Sequence, residues 1–156
     1  MTIRTESRVT IASGIREVWA YVCDVGRWPE WAPGVLECRI RGGAPVQPGS
    51  VVEQRAQGLF GSTRYRTQDV TVVEAPRFVA FAGPMGASAA RWGMKLEPMN
   101  DEQTGTTMWI EVDLRGLMRS IPGILKDRIQ RVSERELAAM KAVLESATPP
   151  RSRSTP

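Results

Sequence analysis

The chain contains no histidine. That absence removes zinc sites built on imidazole and every nucleophile activated by a histidine base, the Ser-His-Asp and Cys-His pairs included. Proton transfer near neutral pH is left to a carboxylate, tyrosine or lysine with a shifted pKa, or to a water. Cysteine is scarce too. Cys23 and Cys38 stand fifteen apart with no CxxC spacing, so they read as small apolar filler, and no metal or other cofactor is expected. Long hydrophobic runs are missing: nothing approaches the roughly 20 residues that span a bilayer, so no integral membrane association is read. The opening "MTIRTESRVTIAS" lacks the apolar core of about 7 to 15 residues that a secretory signal needs, which makes the cytoplasm the expected location.

Lysine is rare, with eighteen arginines to three lysines and a net charge of +4. Two of those charges, Arg151 and Arg153, fall in the proline- and serine-rich "TPPRSRSTP", and residues 148–156 are expected to be a disordered tail. The folded part then carries only about +2. The other arginines alternate with acids and apolar residues instead of forming a run, so no nucleic-acid partner is expected. The oligomeric state is not legible.

What is present is a chain of 156 residues with 42% hydrophobic content, enough for one domain, over residues 1–147, with a sizeable core. Residues 3–12 alternate loosely, as a strand with one buried face does. Ser13 offers an N-cap for a helix whose apolar positions Ile15, Val18, Trp19 and Val22 follow at i, i+3, i+4 and i+7. A very short second helix is expected around Pro29, closed by Pro33 and Gly34. Frequent turn signals then separate the runs "VLECRI", "VVEQRA", "TRYRTQDVTVV", "FVAFA", "AARWGMKLE" and "TTMWIEVDL", each rich in valine, threonine or aromatics. With the first strand they make a seven-stranded antiparallel sheet. From about Ser120 the period becomes helical through Ile124, Leu125, Ile129, Leu137, Met140 and Leu144, with Pro122 and Gly123 weakening the first turn so that the regular part begins near Ile124.

The fold class is therefore α+β: a curved antiparallel sheet with two short helices and one long C-terminal helix laid across its apolar face. A bent sheet gripping a single helix is not filled by ordinary side chains, so a pocket between the two is expected.

The segment "IREVWAYVCDVGRWPEWAPGV" resembles the opening of the START-like, or SRPBCC, superfamily, and its tryptophans resemble the polyketide cyclase/dehydrase group in particular. "VTVVEAPRFVAFAG", "GTTMWIEVDL" and "ELAAMKAVLE" are similar to that superfamily's later strands and closing helix, in the same order, and the resemblance spans residues 8–145. It implies a helix-grip fold whose apolar cavity holds a hydrophobic small molecule, a lipid or a polyketide-like chain. It implies no fixed chemistry, because relatives include aromatases and cyclases as well as carriers.

Several residues are candidates for the site. Trp28 and Trp31, in "RWPEW", either plug one end of the gap between sheet and helix or form a wall of the ligand entrance. Strand parity puts Trp92 and Met94 in one sense with Met108, Ile110 and Val112, which makes them lining candidates, together with Met118, Leu125 and Ile129 from the helical side. Trp109 falls on the opposite face, under arginine stems. For polar chemistry, Glu53, Arg55 and Tyr65 on two adjacent strands are either cross-strand pairs on a solvent face or an internal cluster that handles protons and enolate charge in a cyclase or dehydratase. "VTVV" suggests a bulge that inverts parity partway along its strand, so the facing stays open.

Overall fold

A computed structural model describes residues 1–57 and 62–147. Residues 148–156, expected as a disordered tail, and residues 58–61 lie outside the described residues. The chain runs as β1 (Thr2–Ile11), α1 (Ile15–Cys23), a 3-10 helix at Val25–Glu30, β2 (Val35–Ile40), a 3-10 turn at Arg41–Gly43, β3 (Val51–Gln57), β4 (Thr63–Glu74), β5 (Phe78–Met85), β6 (Ser88–Asn100), β7 (Gln103–Asp113), a 3-10 helix at Gly116–Ser120, and α2 (Pro122–Ser146). All neighbouring strands pair antiparallel, in the order β1-β7-β6-β5-β4-β3-β2. Strands β2 to β7 form a simple meander. β1 instead closes the far edge against β7, so the two short helices must carry the chain from one edge of the sheet to the other. Among the described residues no helix is long and apolar enough to cross a membrane.

Two expected helix starts move. Ser13 is not the cap of α1: its N–H is spent on the Ile11 carbonyl and its own carbonyl accepts the Thr104 hydroxyl at 2.8 Å, which keeps Ser13 in the extended chain and leaves Gly14 as the N-cap. α2 begins at Pro122 rather than near Ile124, because a proline in the first helical position lacks only an N–H that would have had no partner there.

The expected bulge is present in β4. Register against β5 shifts between Val70 and Val72, so Val70 and Val73 both turn inward while Val72 is left outside. The "GPMGAS" segment is a tight hairpin in which Met85 faces Ser88 and Gly86, at φ 62, supplies a backbone angle that other residues rarely adopt.

α2 packs chiefly along β1 and buries Ser133, Leu137, Met140 and Leu144, which recur at helical spacing on one side. The main core combines these with Ile11, Val18, Val22, Trp28, Trp31, Val52, Phe81, Met94, Leu96 and Met108. A smaller cluster of Ile3, Ala90, Val112 and Leu114 sits at the other end, flanked by Met118, Leu125 and Ile129, and Ile110 touches both clusters.

Candidate functional site

The meander gives β3 and β4 two chemically distinct faces. Val52, Gln54 and Ala56 of β3 point inward and are buried, while Glu53 and Arg55 point outward. Across the ladder Gln54 pairs with Arg66 and Arg55 with Tyr65, so Arg66 and Gln68 join the inner set and Tyr65, 83% exposed, the outer. The internal alternative for Glu53, Arg55 and Tyr65 is thereby corrected. The bulge in β4 lies beyond them, at Val70, and cannot turn them inward. Glu53 is held at 2.8 Å by both Arg39 and Arg41, whose guanidinium groups keep its carboxyl below the usual carboxylate range, and Arg55 lies 3.4 Å from Glu37. This is surface electrostatics.

The inner face carries the polar ladder that the outer residues were candidates for. Arg66 Nε donates to Gln54 Oε1 at 2.7 Å, Gln68 Nε2 donates to the same oxygen at 3.3 Å, and Trp92 Nε1 donates to Gln68 Oε1 at 2.7 Å. Each amide thus links two strands and fixes the next side chain, as a buried polar chain must if it is to be satisfied. Cys38 adjoins Gln54, and burial pushes its thiol up to about 11, which leaves it protonated and unreactive at neutral pH.

Facing this ladder from α2 is Glu136. Burial pushes its carboxyl up to about 7, and the positive charge of Arg66 opposes that rise. Burial likewise holds Arg66 below an ordinary guanidinium, with Glu136 opposing. Two charges on opposite walls therefore sense each other across the interior. A carboxyl near 7 exchanges its proton close to neutral pH, which the absence of histidine had left to some other group.

The apolar candidates divide by exposure. Trp28 and Trp31 are both fully buried, their ring centroids 5.9 Å apart, and Trp28 also meets Phe81 at 5.1 Å and Trp92 at 5.2 Å while its indole N–H donates to the Val22 carbonyl at 2.9 Å. Met94, Met108 and Val112 are buried as well. Trp92 and Ile110, opposite each other on β6 and β7 in the middle of the sheet, remain partly exposed on the inner face, and so do Met118, Leu125 and Ile129. Three buried polar atoms on or beside that face, Thr5 Oγ1, Thr106 Oγ1 and Trp31 Nε1, have no hydrogen-bond partner. Trp109 does lie outside, stacked with Phe78 and covered by the Arg4 guanidinium at 5.6 Å. It lies so flat on the sheet that a Cβ at Gly93 would meet its ring at 2.9 Å.

Two grooves, of about 630 and 680 Å³, open on the convex face, one beside Trp109 and Arg8, the other beside Glu53 and Tyr65. The first is walled mainly by salt-bridged residues of the outer surface, whereas the second is walled by Glu37, Arg39, Glu53, Arg55 and Tyr65 together with Gln54 and Arg66 of the inner ladder.

Gln54, Arg66, Gln68 and Glu136 escaped the sequence reading. One signal was available for Glu136: with Ser133, Leu137 and Met140 it occupies the i, i+3, i+4, i+7 stripe that α2 buries, an unusual place for a carboxylate. For the other three, the only signal is that they alternate with Glu53, Arg55 and Tyr65 along β3 and β4.

The chain matches the family model for polyketide cyclase / dehydrase and lipid transport over residues 2–145. No curated protein sequence matches it. In structure it is similar to a START superfamily protein from Mycobacterium smegmatis, at a TM-score of 0.71 and 15% identity, covering 93% of this chain and 99% of that one. It is similar to the Zhui aromatase/cyclase from Streptomyces sp. R1128, at a TM-score of 0.70 and 19% identity, covering 94% of each chain. It also matches the di-domain ARO/CYC StfQ of the steffimycin biosynthetic pathway, at a TM-score of 0.74 and 14% identity, covering 94% of this chain and 52% of that protein. At such identities the likeness is one of fold, and the fold is the helix grip. With the family model running from the first strand into the last turns of α2, the chain belongs to the polyketide cyclase / dehydrase and lipid transport family of the START-like superfamily.

Proposed function

We propose that the chain binds a hydrophobic small molecule bearing a polar, oxygen-containing end between the inner face of the sheet and α2. The observation that carries this reading is the inner ladder ending at Arg66 and opposed by Glu136. A core built only for stability has no use for a guanidinium and a carboxyl facing each other from opposite walls, because desolvating both costs more than apolar packing would. Trp92 and Ile110 supply apolar walls that the protein's own side chains leave partly open, and the unpartnered hydroxyls of Thr5 and Thr106 supply further donors. Within this reading the lining set is Trp92, Met94, Met108, Ile110 and Val112 from the sheet, Met118, Leu125 and Ile129 from the helical side, and Trp28 and Trp31 beneath Trp92. The interior is preferred to the groove beside Trp109 because the charged groups that wall that groove are already paired with one another, and the second groove, which Gln54 and Arg66 also wall, adjoins the same ladder. Native mass spectrometry and titration with a fluorescent fatty-acid probe test it. Saturable probe binding that weakens in Trp92→Ala is expected, and the absence of both a co-purifying ligand and probe binding overturns it.

A second reading, a cyclase, aromatase or dehydratase acting on a polyketide-like chain folded in that space, is favoured by one observation: Glu136 titrates near 7 and faces a cation. There its carboxylate would take a proton from a carbon flanked by carbonyls while Arg66 holds the developing enolate oxygen. Glu136→Gln should then retain probe binding and lose turnover of a poly-β-ketone substrate. Unchanged turnover removes the reading.

A further inference from the structure

The 3-10 helix Gly116–Ser120 and the first turns of α2 present a surface unlike the rest of the molecule. Leu117 is 91% exposed, Ile124 66% and Ile121 43%, three large aliphatic side chains within eight residues. Gly116, at φ 59, makes the turn that sends Leu117 outward. Ile124 is followed on the same side of α2 by Arg128, Arg131 and Arg135 at i+4, i+7 and i+11, while Leu125 and Ile129 turn toward the Val112 cluster. Residues 115–135 hold six basic side chains (Arg115, Arg119, Lys126, Arg128, Arg131, Arg135) against two acidic ones (Asp127, Glu134). This stretch alone carries +4, the net charge of the entire chain.

Its cations also differ in how they are used. On the convex face Arg4, Arg8, Arg39, Arg41, Arg55 and Arg91 each reach a glutamate. Among the described residues, Arg119, Lys126, Arg128 and Arg135 have no ion-pair partner. Uncompensated guanidinium and ammonium groups around protruding aliphatic side chains match the chemistry of an anionic bilayer surface, where Leu and Ile enter the acyl boundary and long basic side chains stay at the phosphates.

We propose that this surface docks the protein peripherally on an anionic lipid bilayer. A second copy of the chain is the poorer occupant, because a two-fold contact sets the same patch against itself and faces +4 with +4. The inference stands apart from what the interior holds. Docking would nevertheless set the Met118–Leu125–Ile129 side of that interior against the membrane, where an apolar guest could pass between the two without crossing water.

The test is co-sedimentation of the full chain with vesicles of phosphatidylcholine alone and of phosphatidylcholine with about one third phosphatidylglycerol. Binding to the second and not the first is expected, falling as salt shortens the screening length to about 3 Å near 1 M. Leu117→Asp with Ile124→Asp should lower partitioning by about tenfold or more, and Arg119→Glu with Arg128→Glu should do the same, while Tyr65→Ser on the convex face changes nothing. Circular dichroism verifies that both double variants remain folded, and unchanged fatty-acid probe binding shows that the interior is intact. Three results overturn the proposal: no binding to phosphatidylglycerol vesicles, binding indifferent to both double variants, or a native-mass-spectrometry dimer that the same substitutions dissolve.

Discussion

β3 and β4 are neighbouring antiparallel strands that serve two purposes one residue apart. On the outside, Tyr65 stands in water, Glu53 and Arg55 are half-buried, and Glu53 is shared by two arginines that are themselves largely exposed. On the inside, the buried Gln54 and Gln68 join the half-buried Arg66 in a chain in which every bond fixes the next residue and the last fixes Trp92. The chemical vocabulary is nearly the same, a guanidinium and its oxygen acceptors. What separates the two faces is solvent. High dielectric reduces the outer pairs to weak local preferences, whereas inside the same groups must find partners or impose a desolvation cost. A functional guess made from residue types alone is therefore drawn to the wrong face as easily as to the right one.

Three substitutions sharpen this contrast, beginning with the largest effect. Burial raises the Glu136 carboxyl from 4.5 to about 7, so in the folded chain it keeps a proton that the unfolded chain has already released over that range. Stability should consequently fall as pH rises from about 4.5 to 7 and stay lowered above it, by about 3 kcal/mol. Glu136→Gln should abolish that slope and leave the variant more stable than the wild type at pH 8 yet little changed near pH 4, as urea denaturation at the two pH values would report. Gln68→Leu removes the acceptor of the Trp92 indole and one donor to Gln54, and should lower stability by about 1 to 3 kcal/mol with a matching fall in the denaturation midpoint. Tyr65→Ser, on the outer face one residue along from Arg66, should stay within about 0.5 kcal/mol of the wild type. If Tyr65→Ser cost as much as Gln68→Leu, the distinction between the faces would fail.

Much of the fold was legible in the residue pattern. Period-two alternation in "TTMWIEVDL" puts Met108, Ile110 and Val112 on one side and Trp109 on the other, as they lie in the folded sheet. The bulge in "VTVV" and the long last helix were equally visible. The pairing of Trp28 with Trp31 is visible in "RWPEW", but the contacts of Trp28 with Phe81 and Trp92 come from strands some fifty and sixty residues away, which no local signal supplies. The polar site was hidden for a different reason. "VVEQRA" and "TRYRTQD" carry polar groups on both faces, so alternation defines two sets without saying which is inside. Pairing with β5, where Val79 and Phe81 are fully buried, makes that choice. In α2 the run "SEREL" offers two glutamates two residues apart, and only the phase of the helix against β1 decides that Glu136 turns inward while Glu134 reaches Gln130 at the surface.

The order of residues by itself determined the elements, their sequence, the antiparallel meander and the want of histidine that obliges any acid-base work to fall on another group, because periodicity, turn chemistry and composition are local properties. Which side of each strand became the interior, and with it the placing of Arg66 and Glu136 within range of each other's charge, was decided only in three dimensions. Burial is a property of the assembled layers, and it is burial that turns an ordinary glutamate into one that titrates near neutrality.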